Sequence, residues 1–237
     1  MRFCLLLLLC FPSLAVSQTH LYTFYTPSHK QLFDEWFLPS LKDQVDLHVF
    51  EFPQTCKTAR YMSQGWTRTT IRKIEMLLHA IERHPNRPIV YADVDIQFFE
   101  PFVEDLLSEL KGHDLVIQRN GPGGMGCTGF MAFYGSRKVK RLFLKALALM
   151  KSDRETSDQP AINQAIATSK IKWKLLPNRY ACAGTLSGQH WNPHEPLLLP
   201  YPLILHHANW TVGIENKIAQ LELAKEQYAI VHSCHSK

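Results

Sequence analysis

Two rhythms of apolar residues alternate along this chain, and the places where one gives way to the other mark most of its elements. The stretches "HLYTFYTP" and "VDLHVFEF" are short and rich in β-branched and aromatic residues, so they read as strands; the helix-like "SHKQLFDEWFLPSL" lies between them. In "WTRTTIRKIEMLLHAIERH" the residues Ile71, Ile74, Leu77, Leu78 and Ile81 recur at spacings of three and four, which predicts an amphipathic helix ending before Pro85. A strand follows in "RPIVYADVDI". Its apolar half suits the interior of a sheet, and Asp93 and Asp95 fall where the strand gives way to its loop.

The pattern continues with a short helix "PFVEDLLSEL", a strand "HDLVIQRN", a Gly-rich connection and a strand "GFMAFYG". Helices are expected over 137–151 and 158–169, the second with Asp158 near its N-cap and Pro160 in its first turn. After a short strand "IKWKLLP", Gly, Pro, Asn and His dominate 178–202, which reads as an ordered, site-lining segment. A last helix is expected over 213–227. With no internal repeat and no long linker, this alternation predicts one α/β domain.

The first residues stand apart from that domain. "MRFCLLLLLCFPSLAVSQ" sets Arg2 before an apolar core and ends in small residues, so residues 1–17 read as a secretory signal peptide and 18–237 as the mature domain. Removing it takes one Arg from a formal charge of +5 and two of the six cysteines, Cys4 and Cys10. Cys56, Cys127, Cys182 and Cys234 remain, as disulfides or buried thiols. No C-x-x-C pair or close Cys/His cluster points to zinc. Lys and Arg are scattered, which suits an anionic small molecule and defines no nucleic-acid surface. The apolar core of the leader falls short of the roughly 20 residues of a membrane span and no later segment fills that role, a short uncleaved anchor being the alternative to cleavage; no stable transmembrane partner is expected.

Residues two apart in an extended segment share a facing, so Asp93 and Asp95 can converge. Two converging anions repel unless a cation compensates, and Mg²⁺ or Mn²⁺ accepts both carboxylate and phosphate oxygens. A strand end with solvated or capping aspartates is the competing reading of the triplet alone. Context favours the cation: the acidic pair precedes a Gly-rich loop and a late histidine cluster, and the chain lacks both the G-x-x-x-x-G-K-[ST] phosphate loop and a dinucleotide fingerprint.

In order, "YADVDIQF", "CTGFMAF", "SDQPAINQAI" and "HHANWTVGIENKI" resemble the nucleotide-diphospho-sugar transferases of the GT-A fold, over roughly Leu21 to Leu223. The resemblance implies a single GT-A-like domain, α/β, with a mostly parallel mixed central sheet flanked by helices. It also implies transfer of a sugar from a nucleotide-diphosphate donor to a hydroxyl acceptor such as a glycan or glycoprotein, with Mn²⁺ or Mg²⁺ and with retention at the anomeric carbon. Asp93, Asp95 and His207 are then the metal ligands, Asp95 the more direct one and Asp93 near the ribose or a metal-bound water. His206 beside His207 is left to pack or cap. Donor contacts fall on Lys73, Thr128, Gly129, Gly213 and Lys217, while Arg72 points elsewhere on its helix. Asp158 and Gln159 are the catalytic pair, recognising sugar hydroxyls or supporting the reacting carbon; a helix cap equally explains Asp158. Asn163 lies one turn further on.

In "GTLSGQHWNPHEP", Trp191 offers a ring face and His190 or His194 a hydrogen bond to an acceptor sugar. Asn209 opens a formal glycosylation sequon, but its place in "HANW" argues for a site residue. Two other readings stand beside transfer: a secreted carbohydrate-binding protein, and a phosphotransferase using an aspartate nucleophile. The second lacks the residue expected after the second Asp and gives "HHANW" no role. The leader implies a lumenal or secreted protein of the secretory pathway; bacterial export is the alternative, and the supply of nucleotide sugars in an envelope stands against it.

Overall fold

The computed structural model describes residues 19–56, 65–153, 156–193 and 195–235, with the side chains of Cys234 and His235 left out. The expected leader, His194 and the side chain of Cys234 therefore lie outside the described residues.

The chain enters on β1 (His20–Tyr25) and turns through a helical stretch over 27–40, in which a 3-10 turn, α1 (Lys30–Leu32), a π turn (Phe33–Phe37) and α2 (Leu38–Ser40) succeed one another. Next come β2 (Asp46–Glu51), α3 (Trp66–Arg83) and β3 (Pro88–Ala92). Then β4 (Ile96–Phe98), α4 (Val103–Leu110), β5 (Leu115–Arg119) and β6 (Gly126–Tyr134) lead to α5 (Arg137–Ser152) and α6 (Asp158–Ala167). The last part holds β7 (Trp173–Leu175), β8 (Tyr180–Cys182), α7 (Gly184–Ser187), β9 (Leu205–His207) and α8 (Ile214–His235).

Six strands form one mixed sheet in the order β2-β1-β3-β6-β5-β7. The pairs β1/β2, β1/β3 and β5/β7 are parallel, whereas β6 runs antiparallel to both its neighbours. The expected mostly parallel mixed sheet is therefore present, and helices flank it.

Alternation along β3 shows why its sequence reads as an unbroken apolar run. Ile89 and Tyr91 face a layer built on Ile74, Leu77 and Ile81 of α3 and on residues of α5 and α6. Val90 and Ala92 face the opposite layer, with Phe37, Phe102 and Leu106. A strand buried on both faces has no polar side to alternate with. Each fully buried Leu or Ile of α3 contributes about 1.5–3 kcal/mol through removal from water, and this fixes the helix's opposite edge toward solvent, where Arg72 lies.

Several elements differ from the sequence expectation. "RPIVYADVDI" is not one strand: β3 ends at Ala92, and Ile96 begins β4 in a separate three-stranded sheet, ordered β4-β9-β8. The segment 178–202, expected to be ordered but with no strand or helix assigned to it, contributes β8 and α7. Strand β6 begins at Gly126, inside the Gly-rich connection, because Asn163 on α6 binds both the N–H and the C=O of Gly126 at 2.9 and 2.8 Å. Helix α8 extends eight residues beyond Gln227, since no Gly or Pro interrupts the chain from Ile214 to His235.

Candidate functional site

The acidic triplet is the crossing point between the two sheets. The Asp93 N–H still donates to Gly129 O of β6 at 2.7 Å, so its backbone belongs to the large sheet. By Asp95 the backbone has joined the small one: Asp95 O accepts from Ala208 N, just past β9, at 2.8 Å. Side chains from both ends of the triplet meet His207, and one ligand atom each from Asp93, Asp95 and His207 lies within 4.8 Å of the others. His207 Nε2 stands 3.2 Å from Asp95 Oδ1 and 3.9 Å from Asp93 Oδ2.

Strand alternation separates the two neighbouring histidines. His207 faces the carboxylates, whereas His206 turns toward α8, where Nε2 meets Gln220 Oε1 at 3.1 Å and burial pushes its pKa down to about 4. Gln118 of β5 fixes the orientation of His207. Its Nε2 donates to Tyr180 O and Ala181 O at 3.2 and 2.9 Å, which turns Oε1 toward His207 Nδ1 at 2.9 Å. His207 Nδ1 thus donates to Gln118, and Nε2 is aimed at the carboxylates. Gly129 makes room for them: a Cβ there would fall 2.1 Å from His207 Cε1 and 2.8 Å from Asp93 Oδ2.

Charge is balanced tightly around this group. Burial opposes ionisation of Asp95, but Lys217 and His207 outweigh it and hold the carboxyl well below the usual range. Lys217 Nζ lies 2.5 Å from Asp95 Oδ2 and 2.7 Å from Ala208 O. His207 is likewise raised well above an ordinary imidazole, because Asp95 overcomes the effect of burial. Lys73, buried on α3, sits 3.3 Å from Asp93 Oδ1 and 2.9 Å from Asp158 Oδ2 and stays charged despite desolvation. Tyr91 adds a hydroxyl donor to Asp93 Oδ1, its own pKa driven up by burial and by that carboxylate.

Asp158 does not cap α6. The N-cap is Ser157, without a side-chain cap bond, and Asp158 instead accepts from Thr128 Oγ1 at 2.7 Å while pairing with Lys73. Gln159 Oε1 accepts from Thr128 N at 3.4 Å. Asn163 is committed to Gly126 and shapes the loop from behind.

These groups line a cavity of about 350 Å³ at the C-terminal ends of the parallel strands β1 and β3, where open α/β sheets place their ligands. Lys73, Asp93, Asp95, Thr128, Gly129, Asp158, Gln159, His190, His207, Gly213 and Lys217 all reach its wall. Trp191 does not: it is 7% exposed, packs in a small core with Leu197 and Leu203, and donates Nε1 to Glu195 O at 3.1 Å. The sequence expectation of a Trp191 ring face on the cavity is therefore corrected.

Trp210 lines the cavity instead, and the sequence reading overlooked it. Its φ of 56° is unusual for a bulky residue, and Nε1 donates to Asn120 Oδ1 at 2.7 Å. Gly184 passes so close that a Cβ would meet the indole at 2.7 Å. His190 leans on the same ring at 5.3 Å. His29 was also overlooked; it lines the wall from the 3-10 turn, and burial keeps its imidazole below the usual pKa. Asn209 is a wall residue as expected. Among the described residues, nothing pairs with its buried Oδ1 or with Thr211 Oγ1. Cys127 and Cys182 are buried thiols.

The donor set tests the expected cation. Two carboxylates and an imidazole converge on a cavity wall, and Asp93 keeps 31% of its side chain exposed. Oxygen and nitrogen donors of this kind fit a divalent ion such as Mn²⁺ or Mg²⁺.

The chain is similar in fold to the glycosyltransferase GlyE of Streptococcus pneumoniae TIGR4, with a TM-score of 0.51 and 13% identity over 86% of this chain and 59% of that one. Its apo form gives a TM-score of 0.54 and 12% identity at the same coverage. A glycosyltransferase involved in the glycosylation of the major capsid of PBCV-1 gives a TM-score of 0.56 and 11% identity over 87% of this chain and 99% of that one. The chain thus spans about 59% of the length of the pneumococcal protein. No curated protein matches it in sequence. These likenesses define the class of fold. The family model of nucleotide-diphospho-sugar transferases matches residues 33–221, and the chain belongs to that family.

Proposed function

We propose that this protein transfers a sugar from a nucleotide-diphosphate donor to a hydroxyl acceptor, assisted by a divalent cation held by Asp93, Asp95 and His207. The observation that carries the reading is the meeting of these three side chains, beside Lys73 and Lys217, on one cavity in a chain of this family. The ion is Mn²⁺ or Mg²⁺.

When bound, the cation supplies positive charge where negative charge develops on the departing diphosphate. Lys217 is placed to shift from Asp95 toward phosphate oxygens, and Gly213 brings the start of α8, with its partial positive charge, to the same wall. Lys73 has a different task. Held between Asp93 and Asp158, it fixes both carboxylates and keeps Asp158 next to Thr128. Asp158 is therefore an electrostatic and hydroxyl-orienting group, with Gln159 supplying an amide to the sugar. An Asp158 committed to Lys73 and Thr128 is poorly placed as a nucleophile, so the retention that the family resemblance implies would run through attack from the leaving-group side and not through a glycosyl-enzyme.

Trp210 and His190 form the acceptor side, and the unpaired Asn209 Oδ1 and Thr211 Oγ1 are ready acceptors for sugar or ribose hydroxyls. Holding both substrates in attacking geometry supplies much of the catalysis. The acceptor is a glycan or glycoprotein in a secretory lumen, reached through the leader over 1–17.

The test is incubation of the mature protein with a panel of nucleotide sugars, Mn²⁺ or Mg²⁺, and glycan or protein acceptors, following nucleoside diphosphate release and product mass. Turnover that stops with EDTA and returns with Mn²⁺ is expected, and Asp95→Asn should remove it while the fold is kept. No turnover across the panel, together with no metal-dependent nucleotide binding, rejects the reading.

A further inference from the structure

At the opposite end of the large sheet, strand pairing assembles a second group of metal-binding side chains. His20 opens β1 in register with Asp46, the first residue of β2, and Tyr22 is in register with His48. His84 arrives as the residue closing α3. Far apart in sequence, His20, His48 and His84 each bring one ligand atom within 4.8 Å of the others.

The geometry points to a transition-metal site of the zinc class, built from His20 Nδ1, His48 Nε2 and Asp46, with His84 as the fourth ligand. The first three donors form a compact triangle: His20 Nδ1 to Asp46 Oδ2 is 2.8 Å, His48 Nε2 to the same oxygen is 3.0 Å, and His48 Nε2 to His20 Nδ1 is 3.5 Å. A tetrahedral zinc with bonds of ~2.0–2.2 Å needs ligand edges of roughly 3.3–3.6 Å. The triangle is therefore the right face for such an ion, with the two edges now spanned by hydrogen bonds opening by a few tenths of an ångström as a metal replaces the shared protons.

His84 is held close by stacking on His20, ring centroids 3.5 Å apart, and Tyr22 Oη bonds its Nε2 at 2.9 Å. Stacked rings aim their lone pairs in parallel, so His84 must swing off the stack to complete the tetrahedron. The side chains of His20 and His48 are 17% and 22% exposed, which leaves an entry path from solvent. Three neutral imidazoles and one carboxylate suit Zn²⁺ and exclude the all-oxygen preference of Mg²⁺.

The role that follows is structural. Among the described residues β2 is the edge of the sheet, with Val49 39% exposed, and it pairs only with β1. A metal joining Asp46 and His48 to His20 and His84 would tie that edge to the central strand region and to the end of α3. This site is separate from the cavity that carries the proposed transfer, so it stands or falls independently of that reading.

The test uses the full mature chain, stripped with a chelator, in an Asp93→Asn/Asp95→Asn background that removes the competing carboxylate site. Zn²⁺ alone is titrated by calorimetry and followed by thermal melting. One equivalent should bind, and at about a hundredfold excess over the dissociation constant the midpoint should rise by about 5–10 °C. His48→Gln should abolish binding, and His84→Gln should weaken it less. As a check that needs no histidine variant, Zn²⁺ should protect His48 from diethylpyrocarbonate, read by mass spectrometry, and Mg²⁺ should not. Absence of stoichiometric Zn²⁺ binding, or binding that leaves His48 fully reactive, overturns the assignment.

Discussion

A single missing methyl group organises the proposed cation site. Gly129 sits on β6 against both His207 and Asp93, so Gly129→Ala must push one or both side chains aside. A displacement near 1 Å at a reacting centre costs about 100-fold in rate. Steady-state kinetics on the variant should show that loss chiefly in kcat, and a rate within a few-fold of the parent would remove Gly129 from the site. Gln118 acts at one remove, through the ring of His207. Gln118→Leu frees that ring to rotate or change tautomer, and Mn²⁺ affinity measured by calorimetry should fall by about 10–100-fold. An unchanged affinity would mean His207 does not ligate.

At the level of elements, α3 and α6 are joined to the end of β3 through one buried cation. Lys73→Met deletes the cationic partner of Asp158, which is 6% exposed, and leaves its charge buried against the Thr128 hydroxyl. The cost should be about 3–5 kcal/mol, read as a lowered urea midpoint at unchanged slope. Smaller loss would show that Asp158 takes up a proton or reaches solvent.

This ion pair also shows what could be read in the sequence. The 3.6-residue rhythm placed α3 within a residue at each end and put Lys73 and Arg72 on different sides, because burial of one face governs that pattern. The partners of Lys73 come from 20 and 85 positions away, and no local pattern encodes them. The same holds for Asp158: its position before an apolar helix looks like a cap, and only the tertiary approach of Thr128 and Lys73 reassigns its oxygens. Strands of three residues, β4, β8 and β9, carry too few positions for a periodic signal, so the small sheet was illegible. Trp191 misled because a tryptophan among Gly, Asn and Pro resembles a sugar platform, whereas its indole is needed to fill the core under that loop.

For the whole molecule, acid sensitivity follows from the buried imidazole of His206. Its folded pKa of about 4 lies below the ordinary 6.5, so the unfolded chain takes up a proton first as pH falls. This group therefore removes stability progressively from about pH 6.5 to pH 4 and has no further effect below that. The total is on the order of 3 kcal/mol. Chemical denaturation of the metal-free protein across that window should show the slope, and His206→Gln should flatten it while retaining an amide partner for Gln220. A parallel profile in the variant would place the acid sensitivity elsewhere.

The crossing of Asp93–Asp95 from one sheet to the other has a consequence for the order of events. Asp93 is anchored to β6 and Asp95 to the exit of β9, so an ion bound to both spans a seam rather than a single rigid wall. Loading the donor complex would then act as a clasp, drawing the β4-β9-β8 layer and the segments carrying Trp210 and His190 into register with the large sheet. The acceptor surface would be finished only after the donor has arrived, and hydrogen exchange in β8 and β9 should slow when Mn²⁺ and nucleotide are added together.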